Sequence, residues 1–310
     1  MLLVVFGAGA SFDSVHHLPA PGPPSEGLLY WQERPPLANQ LFDTRGIFVE
    51  LMARFKECQA LVPMLRQSGT SVEKKLAEFQ EQAKTFPPAH RELAAVHYYL
   101  HFAVWTCQNQ WYTRHRGVTN FRTLLREIER WRYEAKEQVC FVTFNYDTML
   151  EEAIGPVLQL EVRDMDSYYT WENYSLFKLH GSVNWGRIVD GLSAGGGSPV
   201  RFYQHLINTV NPDNSCVTEE YMLCDIEMHP LQDPRVVLYP ALSIPVEKKD
   251  EFSCPRTHVT ALEAILPRVT KMITIGWRAT EAEFLTRLHL STTVPVPGIR
   301  RPVDLLEPIS

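Results

Sequence analysis

Three short segments, far apart in the chain, carry residue types that can do chemistry together. They are Gly7-Ala8-Gly9-Ala10-Ser11, Thr143-Phe144-Asn145-Tyr146-Asp147 and Lys178-Leu179-His180-Gly181. Each follows an apolar run that reads as a buried strand, so each is expected at a strand's carboxyl end, where open α/β sheets hold their ligands. Gly7 permits a tight turn, Gly9 lets backbone N–H groups approach a phosphate, and Ser11 can cap the next helix or donate to a phosphate oxygen. The pattern G-x-G-x-S stops short of the full dinucleotide fingerprint, and a plain strand-to-helix turn uses the same residues. Asn145 offers both a donor and an acceptor to a sugar diol, and Asp147 offers a carboxylate to orient the loop or meet a polar ligand group. Both are equally suited to capping a helix. As a histidine, the residue type that ordinarily titrates near neutral pH, His180 can take a proton from water or a ribose hydroxyl, with Gly181 leaving room for a ligand. A histidine after a strand is also commonly a satisfied polar residue.

Such segments need a sheet to position them. Residues 2–6, 138–144, 175–179, 235–239 and 271–275 read as strands. Residues 72–84, 90–111, 120–136, 147–154, 260–268 and 280–289 have helical pattern or composition. In 90–111 the spacing of Leu93, His97, Leu100, Val104 and Cys107 is helical. In 120–136 Phe121, Leu124, Leu125, Ile128 and Trp131 share a face. Ser71 is followed three residues on by Lys74, so its capping box is incomplete. The alternation predicts an α/β fold: a Rossmann-like parallel sheet with helices on both faces and a helical insertion. The sheet domain takes residues 1–45 and 137–310, and the inserted helical module residues 46–136. A proline-rich stretch, 19–36, reads as a functional loop that packs over the ligand or orders on binding it, and the glycine-rich 191–198 as a flexible loop or linker. Prolines at 295, 297, 302 and 308 leave no clear closing strand except 303–306, so the tail reads either as an irregular arm for a partner or as a sheet that has lost its last strand.

The 310 residues suffice for one large domain or two ordinary ones, and a hydrophobic fraction of 45% buries a sizeable core. A net charge of -6 argues against a general nucleic-acid binder, and the Arg/Glu-rich face of 126–134 reads as solvated. No apolar run reaches the length of a membrane span, and the apolar start is too short for a signal-peptide core. A cytoplasmic protein is expected, with its six cysteines reduced. Cys216, Cys224, His229 and Cys254 match no compact zinc spacing, so no metal is expected.

Together with Ile273-Thr274-Ile275-Gly276-Trp277, the three segments resemble the ordered motifs of sirtuin-like domains, and most closely the bacterial antiphage-defence branch. The resemblance runs from about Leu2 to Leu290. It implies a Rossmann-like NAD-binding domain. Gly7, Ala8, Gly9 and Ser11 would line the dinucleotide site, with Thr143, Gly181 and Gly276 also binding and Gly276 near the adenosine half. It further implies that Asn145 and Asp147 hold the nicotinamide ribose region and that His180 is the catalytic base. Ile244-Pro245 with Lys248 resembles the family's proline-containing segment. The four-cysteine zinc module of the family's deacylases has no counterpart, so water replaces an acyl-lysine as the natural acceptor. The implied activity is NAD glycohydrolysis to nicotinamide and ADP-ribose, with NAD as substrate and no metal. It would act in antiphage defence, in a homo-oligomer triggered by a partner such as an ATPase or an Argonaute-type protein. The alternative is a non-catalytic NAD or ADP-ribose sensor, or a scaffold subunit of a defence complex.

Overall fold

The computed structural model describes residues 1–14, 35–42, 46–65, 71–83, 85–192, 199–209, 216–245 and 252–292. In chain order, β1 (Leu2–Phe6) and α1 (Ala8–Asp13) lead to α2 (Gly46–Arg54), α3 (Lys56–Gln59), α4 (Val62–Leu65), α5 (Val72–Ala83), α6 (Pro87–His115) and α7 (Asn120–Ala135). Then follow β2 (Val139–Thr143), α8 (Met149–Leu158), β3 (Tyr174–Lys178), β4 (Gly181–Val189), α9 (Pro199–Thr209) and β5 (Val217–Leu223). The last elements are β6 (Leu238–Leu242), α10 (Arg256–Ile265), β7 (Lys271–Ile275) and α11 (Ala282–Ser291).

The expected Rossmann-like α/β architecture is what the chain adopts. Four strands form an all-parallel sheet in the order β3-β2-β1-β7. Leu-Leu-Val-Val-Phe in β1 is buried throughout, as a parallel strand covered on both faces must be. Leu2 pairs with both Val139 and Lys271, and Phe6 with both Thr143 and Ile275. From β1 the chain reaches β2 and β3 on one side and β7 on the other. The carboxyl end of β1 is therefore the point where strand order reverses, and Gly7 follows it directly.

The second sheet differs from expectation. Strands β5-β4-β6 form a separate antiparallel sheet. The strand expected at 235–239 lies instead at Leu238–Leu242 and pairs antiparallel with β4, so it does not extend the parallel sheet. Pro240 is tolerated because β6 is an edge strand.

Two hydrophobic clusters divide the molecule. One surrounds the parallel sheet and includes Phe121, Leu125 and Ile128 of α7, Ala153 of α8, Leu262 of α10 and Leu288 of α11. The other packs α2 to α6 and α9 against the antiparallel sheet. The helices between β1 and β2 thus split: α7 covers the parallel sheet, and the block before it builds its own core with β4–β6. Helix α6 runs through both, with Leu100 and Cys107 in one cluster and Trp111 in the other. At about 1.5 Å per residue its 29 residues span roughly 43 Å.

Most of the proline-rich stretch, most of the glycine-rich linker, Lys248 and the segment after Thr292 lie outside the described residues. Among the described residues, no helix is long and apolar enough to cross a membrane.

Candidate functional site

All four motif segments meet at the carboxyl ends of the parallel strands. Asn145 Nδ2 donates to Ser11 Oγ at 2.8 Å, joining the segment after β2 to helix α1. The Phe144 ring lies 4.8 Å from the His180 ring and stacks on Trp277 at 5.6 Å. Gly9 N–H donates to the Gly276 carbonyl at 3.2 Å, joining the glycine turn to the end of β7. Tyr146 brings a second ring to within 6.4 Å of His180.

Close backbone packing gives the glycines a reason beyond the tight turn read in the sequence. A Cβ on Gly7 would lie 2.5 Å from the Gly276 oxygen, and one on Gly9 would lie 3.0 Å from the Gly276 Cα. Gly276 has φ +60, and its own Cβ would lie 2.2 Å from the Ala10 nitrogen. These residues let two backbone turns pack against each other. The N–H groups of Gly7, Gly9 and Ala10 already donate to Ile275, Gly276 and Gly7 carbonyls. Ala8 is exposed at the head of the turn. A Cβ on Gly181 would sit 1.8 Å from the Ala241 carbonyl oxygen, at φ +80, so the place of its missing side chain is taken by the protein's own backbone. It lets β4 approach β6 closely at the start of their antiparallel pairing.

The turn after β2 is held by its own side chains. Thr143 Oγ1 accepts from the Asn145 N–H at 3.1 Å, and Asp147 Oδ1 accepts from the Met149 N–H at 3.1 Å. Asp147 therefore makes a turn that starts α8, the capping alternative left open by its residue type. Gln108 of α6 reaches Thr148 twice: its Oε1 accepts from the Thr148 N–H at 2.7 Å and its Nε2 donates to Thr148 Oγ1 at 2.5 Å. The His180 carbonyl accepts from the Ser243 N–H at 2.9 Å, and the Leu179 N–H donates to the Thr143 carbonyl at 3.1 Å. Burial pushes the Tyr146 phenol above its ordinary range, reinforced by the nearby Glu73 and Glu281 carboxylates. Glu73 of α5 also pairs with Arg278 at 2.7 Å, tying the helical block to the loop after Gly276.

Asn145, Asp147 and His180 are only 6%, 7% and 5% exposed. Asn145 Oδ1 accepts no hydrogen bond among the described residues. A buried amide oxygen without a donor is a polar group awaiting one, and a ribose hydroxyl is a chemical match.

Sequence reading passed over Phe144 and Trp277 as site residues, and over Lys178. The signal for Lys178 was there: a lysine within the apolar run Leu-Phe-Lys-Leu, 0% exposed in the fold. The cysteines considered for zinc are dispersed. Cys224 faces Met228, His229 pairs with Asp225, and Cys254 belongs to the other hydrophobic cluster. No group of three or more His, Cys, Asp or Glu gathers among the described residues in a way that would hold a metal.

No family model matches the chain, and no curated protein matches it.

Proposed function

We infer that the protein is an NAD glycohydrolase that cleaves the nicotinamide–ribose bond. The observation that carries this reading is the meeting of the four segments, with the Asn145 amide anchored on Ser11 and its oxygen left as an acceptor beside the Phe144–His180 contact. Nicotinamide leaves with the electrons of the C1′–N bond, neutralising its own pyridinium charge, so no strong general acid is required. The ribose passes through an oxocarbenium-like state. The roles assigned to the chain are few. Asn145 accepts from a ribose hydroxyl, and His180 takes the proton of the water whose oxygen bonds to C1′. Asp147 keeps the turn carrying Asn145 in shape. The Ala8 N–H, at the exposed head of the turn, and the Ser11 hydroxyl are assigned to the dinucleotide's phosphates.

The antiphage role, the homo-oligomer and the triggering partner rest on the family resemblance. The near-complete burial of Asn145 and His180 supports a gated site, since substrate entry then requires movement.

One observation favours a second reading, a sensor that binds NAD or ADP-ribose without turning it over. His180 lies against Phe144 and near Tyr146, and a base must reach water. Chromatography of NAD incubated with the purified protein, beside calorimetric binding, separates the two. Equal release of nicotinamide and ADP-ribose is the expected result. Binding without release assigns the sensor, and neither binding nor release overturns both readings.

A further inference from the structure

Lys178 is the fully buried lysine at the end of β3, two residues before His180. Its ammonium makes an ion pair with Glu151 of α8 at 2.8 Å and donates to the backbone carbonyl of Asp147. The same carboxylate oxygen of Glu151 accepts from the Tyr168 hydroxyl at 3.4 Å, and that hydroxyl accepts from Trp185 Nε1 of β4 at 3.0 Å. The polar chain continues through Asn184 and Ser182 to the Tyr146 carbonyl. It therefore joins β3, β4 and the start of α8 beneath the turn that bears Asn145. Burial raises the Glu151 carboxyl's pKa, and the Lys178 charge opposes that rise.

Ion-pairing alone does not explain this placement. A buried ion pair is a weak source of stability compared with apolar packing, whereas its geometry is highly specific. The bond to the Asp147 carbonyl fixes the backbone between Asn145 and the first turn of α8, where the Asp147 side chain also holds Met149.

We propose that Lys178 is a positioning residue: it clamps the Asn145–Asp147 turn to the strand end that carries His180, so that the acceptor and the base keep one relative geometry. The proposal deepens the glycohydrolase reading, in which those two groups act on the ribose and the water.

The test compares two variants by hydrogen exchange of the unliganded protein. Glu151→Gln removes the ion pair and leaves Lys178 on the Asp147 carbonyl. Lys178→Met combined with Glu151→Gln removes both and leaves no orphaned charge. The 144–150 amides are expected to exchange at least about tenfold faster in the double variant while the β1 amides stay within about twofold of wild type; in Glu151→Gln, where the Lys178 charge is left buried without its carboxylate, both sets accelerate. Acceleration spread equally over 144–150 and β1 in the double variant, or none in the folded double variant, overturns the proposal, because a purely structural pair would behave that way. If the double variant yields no folded protein, denaturant-dependent exchange of the wild type decides. Opening of 144–150 together with β3 supports the clamp, and independent early opening overturns it. Nicotinamide release adds a second readout: kcat falls in the double variant with KM little changed, and Lys178→Arg restores most of it. Equal kcat in the double variant and wild type overturns the role in turnover. A wild type that releases no nicotinamide counts against the glycohydrolase reading alone, since the exchange result judges the clamp separately.

Discussion

Gly181 shows how a site residue can be required without touching a ligand. The residue follows the candidate base, and its missing side chain is space already taken by the Ala241 carbonyl oxygen. Gly181→Ala therefore has to displace β6 and also adopt φ +80, a conformation that disfavours a Cβ. The substitution is expected to destabilise the protein by at least about 2 kcal/mol in urea denaturation, whatever its effect on NAD. An unchanged midpoint would mean that the close pairing of β4 and β6 at Gly181 has slack that the geometry denies. The same distinction applies to Gly7 and Gly9. Their residue type was legible in the sequence as a turn at a strand end. Their partner, the Gly276 backbone 267 or more residues away, was not, because nothing local encodes a contact at that separation. Lys178 was half legible: a charge within an apolar run requires a buried partner, but which carboxylate answers it depends on the fold.

At the scale of elements, long amphipathic helices and continuous apolar strands were legible. The helix expected at 120–136 is Asn120–Ala135, and the strand at 271–275 is Lys271–Ile275. Even the half-formed capping box is present, with Ser71 Oγ accepting from the Lys74 N–H at 3.1 Å. The antiparallel sheet was hidden by its composition. Two glycines in β4, a Glu-Glu pair in β5 and Pro240 in β6 obscure the alternation that marks a strand. Two helices carry a pH dependence. His101 of α6 and His258 of α10 are wholly buried. Each has Nε2 on a backbone carbonyl, of Ile226 and Met165 respectively, and an Nδ1 with no partner among the described residues. Burial lowers both pKa values from 6.5 to about 4. Between those values the unfolded chain binds the protons that the folded chain refuses. Stability is therefore full above pH 6.5 and falls on acidification toward pH 4, by up to about 1.4 kcal/mol per pH unit for each histidine. Urea midpoints measured at neutral and mildly acidic pH should show that fall, and His101→Gln with His258→Gln should lessen it. An identical acid loss in the double variant would remove these histidines from the account.

In the molecule as a whole, two cores meet at the candidate site. The parallel sheet supplies the strand ends, and the helical block reaches them through Gln108 on Thr148 and Glu73 on Arg278. β4 leaves His180 directly for the second core. The helical block thus has a covalent and hydrogen-bonded connection to the segments that carry Asn145 and His180. The parallel α/β architecture was legible because each strand end announced itself by apolar residues followed by a glycine or polar turn. The partition into two cores was not, because helices that cover different sheets share one amphipathic pattern. The central claim is that these strand ends form one NAD-cleaving site with His180 as its base. The most direct test measures nicotinamide release and NAD binding side by side for wild type and His180→Ala. The account predicts release by wild type, a loss of at least about 100-fold in the variant, and binding within a few-fold of wild type. Release at the wild-type rate from a folded His180→Ala protein would contradict it.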